Sequence, residues 1–66
     1  MREYYKREYY DIISLSVLWN VSPQTIRRLI KSGKLPAVRI GGSFRIRNSD
    51  RENYEKENLY AAREND

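Results

Sequence analysis

Seven basic side chains carry the chemistry this sequence can offer: Arg27, Arg28, Lys31, Lys34, Arg39, Arg45 and Arg47. Every charged residue between Ile12 and Arg47 is among them. Guanidinium and ammonium groups donate hydrogen bonds to anionic oxygens and offset their charge; unaided, they do not make or break covalent bonds. The chain has no histidine and no cysteine, which removes the commonest general base, thiol chemistry and the usual zinc ligands. Tyrosine, serine and aspartate occur, but 66 residues are too few to build a pocket around a catalytic constellation. The expected chemistry is non-covalent recognition of a polyanion, without catalysis and without a cofactor or metal.

The flanks do not share this charge. Residues 1–11 hold three basic and three acidic groups, and residues 48–66 hold three basic and six acidic ones, for a net charge of +4. A polyanion would therefore meet the middle of the chain and be repelled by its C-terminal part.

The elements that must position these cations can be read from caps and periodicity. Asp11 is a good N-cap, and Ile12, Leu15, Leu18 and Trp19 form an apolar stripe, so the first helix should span Ile12–Trp19. Asn20 suits a left-handed stop. Ile13 and Val17 lie off the stripe, either covered by the N-terminal tyrosines or exposed as a small patch. Ser22 caps a second helix with Pro23 at its first position, Ile26, Leu29 and Ile30 face inward, and Gly33 ends it. Gln24, Arg28 and Lys31 then form the outer stripe, flanked by Thr25 and Arg27. That stripe has no acidic residue to relieve its charge, which favours an anionic partner over a merely solvated face. Two short helices joined through Asn20-Val21 make a helix-turn-helix.

After Leu35-Pro36 the pattern predicts a hairpin. If Val38 and Ile40 share a face with Phe44 and Ile46, the loop is three residues, Gly41-Gly42-Ser43, pairing Ile40 with Phe44 and Val38 with Ile46. A two-residue loop would pair Arg39 with Phe44 and break that agreement. In the three-residue register Arg39 opposes Arg45, a repulsion that a phosphate would relieve. Asn48 or Ser49 should cap a last helix over about 50–62, with Arg51–Glu55 and Glu52–Lys56 as i,i+4 pairs and Tyr54, Leu59 and Tyr60 as anchors.

The fold class is therefore α+β, a small winged helix-turn-helix of two helices, a β-hairpin wing and a C-terminal helix. One domain is expected over residues 9–62, with a tail at 1–8 and a frayed end at 63–66. The tail carries a repeat, Arg2-Glu3-Tyr4-Tyr5 followed by Arg7-Glu8-Tyr9-Tyr10, whose second half should lead into the first helix as a short strand. No apolar run is long enough to span a membrane and no signal-peptide core is present, so the expectation is a cytoplasmic protein without a membrane partner.

The run Val21-Ser22-Pro23-Gln24-Thr25-Ile26-Arg27-Arg28-Leu29-Ile30-Lys31-Ser32-Gly33-Lys34-Leu35-Pro36-Ala37-Val38-Arg39-Ile40-Gly41-Gly42 resembles the excisionase-type DNA-binding domain, a winged helix-turn-helix related to the head of the MerR regulators. The resemblance covers about residues 10–54. It implies that the second helix enters the major groove of double-stranded DNA and that the wing reaches the neighbouring minor groove or backbone. Gln24, Arg28 and Lys31 match the groove-facing positions, with Thr25, Arg27 and Lys34 beside them. Arg39, Ser43, Arg45 and Arg47 are the wing candidates. Two departures stand out. Ile13, Ser14 and Val17 occupy positions where many relatives are acidic, and the Gly42-Ser43 tip lacks the basic residue some excisionases place there.

MerR regulators continue into a long dimerisation helix and an effector domain, which this sequence does not supply. The resemblance therefore implies an excisionase, or recombination directionality factor, of a phage, integrative element or conjugative transposon. It would bend DNA, assist a tyrosine-family integrase and self-associate on tandem sites. The alternative is a small MerR-like transcriptional regulator. RNA binding fits the charge, but the sequence lacks the aromatic sheet surface of common RNA modules. A pure protein-interaction role leaves the basic face unexplained.

Overall fold

The structure, a computed structural model, describes residues 7–60. In chain order the elements are β1 (Tyr9–Tyr10), α1 (Ile12–Trp19), α2 (Pro23–Lys31), β2 (Val38–Ile40), β3 (Ser43–Arg47) and α3 (Asn48–Glu57). The strands form an antiparallel sheet in the order β1-β3-β2. This is the α+β winged helix-turn-helix that the sequence predicts. The first copy of the tyrosine repeat, the start of the 1–8 tail and the 63–66 end lie outside the described residues.

Local chemistry sets both helices of the pair. Asp11 accepts the Ser14 backbone N–H at 2.7 Å, and α1 stops at Asn20, whose φ of 58° is left-handed. The Asn20 N–H then reaches the Val17 carbonyl and the Val21 N–H the Ser16 carbonyl, the paired bonds that close a Schellman end. Ser22 caps α2 by accepting the Thr25 N–H. At the far end Gly33 and Lys34 donate to the carbonyls of Ile30 and Leu29, the same closure. Short polar links thus set where α1 ends and α2 begins.

Four side chains are fully buried, Leu15, Ile26, Leu35 and Ile46, one each from α1, α2, the loop after α2, and β3. Tyr10, Ile12, Trp19, Leu29, Ile30, Ala37 and Tyr54 pack around them. A core this small leaves the domain dependent on each of its layers. The buried face of α1 is rotated from the expected stripe. Ser16 is buried, its hydroxyl donating to the Ile13 carbonyl at 2.6 Å, while Leu18 is 50% exposed. Ile13 and Val17 are exposed as well.

The wing register differs from the expected one. Val38 pairs with Arg45, Arg39 with Phe44 and Ile40 with Ser43, so the loop is Gly41-Gly42 alone and Ser43 belongs to β3. The glycines have φ of 58° and 83°, which fits the two-residue type I′ turn whose twist matches that of paired strands. The reason lies upstream. Leu35 is buried and Ala37 packs on the core, so by strand alternation Arg39 follows them on the inner face. Val38 and Ile40 take the outer face and remain exposed. The expected Arg39–Arg45 opposition does not arise.

The last helix also departs from expectation. It starts at Asn48, with Arg47 at its N-cap position and no side-chain cap bond. Its first turn is held instead by the Asn48 N–H, which donates to the Glu8 carbonyl beside β1 at 2.8 Å. The helix ends at Glu57, and Leu59 and Tyr60 are 81% and 70% exposed rather than anchoring it. The anchors are Tyr54, whose ring lies 5.3 Å from that of Trp19, and Arg51, which sits over the Tyr10 ring and pairs with Glu55 at 3.0 Å. No Glu52–Lys56 pair forms among the described residues; Glu52 meets Arg51 and Asn48 instead.

Candidate nucleic-acid interface

The surface is built on α2. With Ile26 buried and Leu29 and Ile30 half-buried, helical geometry turns Gln24, Arg27, Arg28 and Lys31 outward, and all four are exposed. Lys34 is exposed in the turn that follows. Thr25 behaves differently. It is half-buried, its hydroxyl shares a 3.0 Å hydrogen bond with that of Ser22, and it lines an apolar cleft with Trp19, Leu29 and Tyr54. Its place is in the cap and beside α3.

The wing joins this surface through a groove. Arg27 of α2 and Gly42, Ser43, Phe44 and Arg45 of the wing line it, with Asp11, Ile12 and Ile13 at its floor and side. The structure therefore brings Arg27, Ser43 and Arg45 to one concavity, with Gln24, Arg28 and Lys31 on the neighbouring helix face. Two loci separated in the sequence become one electropositive strip.

The wing cations are not equivalent. Arg39 lies over the Phe44 ring, 4.9 Å from its centroid. Arg45 is half-buried and donates to the Phe44 carbonyl at 3.1 Å. Arg47 is bound to Asp50 at 2.7 Å, and Asp50 is buried, only 9% exposed. That pair spends the Arg47 charge on the start of α3. Spacing alone does not announce this pair, because Arg47 ends β3 and Asp50 lies in the first turn of α3. Among the described residues Arg27, Arg28, Lys31, Lys34 and Arg39 have no carboxylate partner.

Asp11 is the acidic group at the groove. The Ser14 N–H and hydroxyl, followed by the charges of Arg45 and Arg7, hold its carboxyl below the ordinary aspartate range. It is consumed in capping α1 and stays ionised beside Arg45. Among the described residues no group of acidic side chains could hold a metal ion, and no helix is long and apolar enough to cross a membrane.

A family model described as "Helix-turn-helix domain" matches residues 9–52, from β1 into α3. The chain belongs to the helix-turn-helix domain family. The match takes in both helices of the pair, the whole wing and every residue of the basic strip. Two curated relatives of this helix-turn-helix chain come from two strains of Mycobacterium tuberculosis, and each is named a putative DNA-binding protein. Each is 42% identical over 41 residues, covering 62% of this chain and 53% of the relative. The helix-turn-helix chain thus spans about half the length of the curated relatives it matches. No solved structure matches it significantly.

Proposed function

We propose that this helix-turn-helix protein binds double-stranded DNA and acts as an architectural accessory to a tyrosine-family integrase in the excision of a mobile element. The observation that carries the DNA reading is the continuous strip from Arg28 and Lys31 through Arg27 to the wing turn, free of carboxylates except the capping Asp11. In this reading Gln24, Arg28 and Lys31 meet base edges in the major groove, where bidentate contacts discriminate bases. Arg27, Lys34, Arg39, Ser43 and Arg45 meet the backbone, which positions the protein without reading sequence. Arg47 contributes mainly to the fold.

The excision role is supported by the resemblance to excisionases and by the second surface on α3. Glu52, Glu55 and Glu57 are exposed there, and phosphate repulsion would keep that face clear of DNA. It remains open to an integrase or to a neighbouring protomer on tandem sites. Bending a site of roughly 20–30 base pairs costs on the order of 1–6 kcal/mol, which several adjacent protomers can share.

The test is a reconstituted excision reaction with the cognate integrase, together with a DNA-curvature assay. Stimulated excision and altered curvature are expected. Repression of a nearby promoter without either effect would replace this role with that of a small MerR-like transcriptional regulator, while leaving DNA binding intact.

A further inference from the structure

Phe44 occupies an unusual place. It is half-buried, yet it stands apart from the hydrophobic cluster built on Leu15, Ile26, Leu35 and Ile46. Phe44 is among the residues that line the groove shared by Arg27 and Arg45. The Gly41-Gly42 turn sets Arg39 directly opposite it, and directly opposed residues of antiparallel strands project from the same face. The guanidinium of Arg39 accordingly rests over the ring, 4.9 Å from its centroid.

Arg39 is on an edge strand, exposed, and without a carboxylate partner among the described residues. An arginine in that setting ordinarily samples many rotamers and loses that freedom on binding a phosphate. The ring changes this. Its negative π-face attracts the cation without neutralising it and leaves the guanidinium N–H donors at its edge unspent. A carboxylate in the same place would hold Arg39 equally well but would cancel the charge, as Asp50 does for Arg47.

We infer that Phe44 is a positioning residue for DNA binding: its ring holds the Arg39 guanidinium in one place on the wing, available to a backbone phosphate that passes between α2 and the hairpin. The inference rests on the DNA-binding reading and adds to it a residue that makes no charged contact of its own.

The test is a double-mutant cycle read by fluorescence anisotropy on a short labelled duplex of random sequence. Side-chain NMR of Arg39 in the free protein accompanies it. Phe44→Leu should weaken binding roughly two- to five-fold, the factor an exposed cation–π contact supplies. In an Arg39→Ala background the same change should have no further effect. Phe44→Trp keeps an aromatic face and should retain wild-type affinity, which also guards against a fold defect in the leucine variant. The Arg39 side-chain protons should be shifted upfield by the ring. Equal losses from Phe44→Leu with and without Arg39 overturn the positioning role. So does a Phe44→Trp variant as weak as Phe44→Leu, or an Arg39 without ring-current shift. A wild-type protein that binds no duplex overturns the DNA reading itself and this inference with it.

Discussion

Trp19, the last residue of α1, donates its indole N–H to the Glu55 carboxylate of α3 across 2.6 Å. The two residues are 36 positions apart, and this bond, with the Trp19–Tyr54 ring contact, ties α3 to the helix-turn-helix. The bond from Trp19, then the bond and charge of Arg51, hold the Glu55 carboxyl below the ordinary glutamate range.

Breaking this tie should loosen α3 before it affects the DNA surface. Glu55 is 44% exposed at its side chain, so water discounts the bond, and Glu55→Ala should cost on the order of 0.5–1 kcal/mol. Because the folded-state pKa is depressed, the contribution is present above the unfolded value near ~4.3 and is lost as pH falls through the folded value. Trp19 is the single tryptophan, so its emission reports the bond directly. A fluorescence transition confined to acid below that value, and absent in Glu55→Ala, is expected; emission that changes at neutral pH would contradict the assignment.

The wing turn should tolerate asparagine and resist a branched side chain. No atom lies within 4 Å of a Cβ built on Gly41 or Gly42, so any penalty is conformational. Gly42→Val must hold a left-handed φ and should lose roughly 1–2 kcal/mol of stability. Gly41→Asn gives the Asn-Gly pair that type I′ turns favour and should be close to neutral. Thermal unfolding followed by circular dichroism decides between them, and equal melting temperatures for the two variants would argue against the two-residue register.

Readers and positioners should separate in a selection experiment. Arg28→Ala should cost about 1–3 kcal/mol on a site selected from a random pool and should relax base preference there. Arg45→Ala should weaken selected and random duplexes alike. An unchanged specific-to-random ratio for Arg28→Ala would remove α2 from the role of recognition helix.

Salt dependence should count the available cations. Arg27, Arg28, Lys31, Lys34 and Arg39 have no carboxylate partner among the described residues. If the backbone-facing Arg27, Lys34 and Arg39, together with Arg45, reach phosphates, log K should fall against log salt with a slope of roughly −3 to −4. Arg47→Ala should leave that slope nearly unchanged while lowering the melting temperature, because it strands the buried Asp50 carboxylate. A slope reduced by a full contact with unaltered melting would return Arg47 to the DNA surface.

The helix pair is legible in the residues alone because local chemistry decides it. Asp11, Asn20, Ser22-Pro23 and Gly33 act through bonds spanning a few residues, so composition and spacing announce α1, α2 and their junction. The outer stripe of Gln24, Arg28 and Lys31 follows from those bounds and the helical period. The remaining features depend on contacts between distant segments. The wing register depended on which side of the chain Leu35 and Ala37 turned to the core, because a one-residue change in strand pairing reverses every face. The exchange of Leu18 for Ser16 on the buried side of α1, and the replacement of Leu59 and Tyr60 by Arg51 beside the expected Tyr54 as anchors of α3, followed from which surfaces meet. Seven cations of one sign were legible in the chain. Their division depended on Asp50 reaching Arg47 and on Phe44 lying under Arg39, and the distances that control ion pairs and cation–π contacts exist only once the strands have paired.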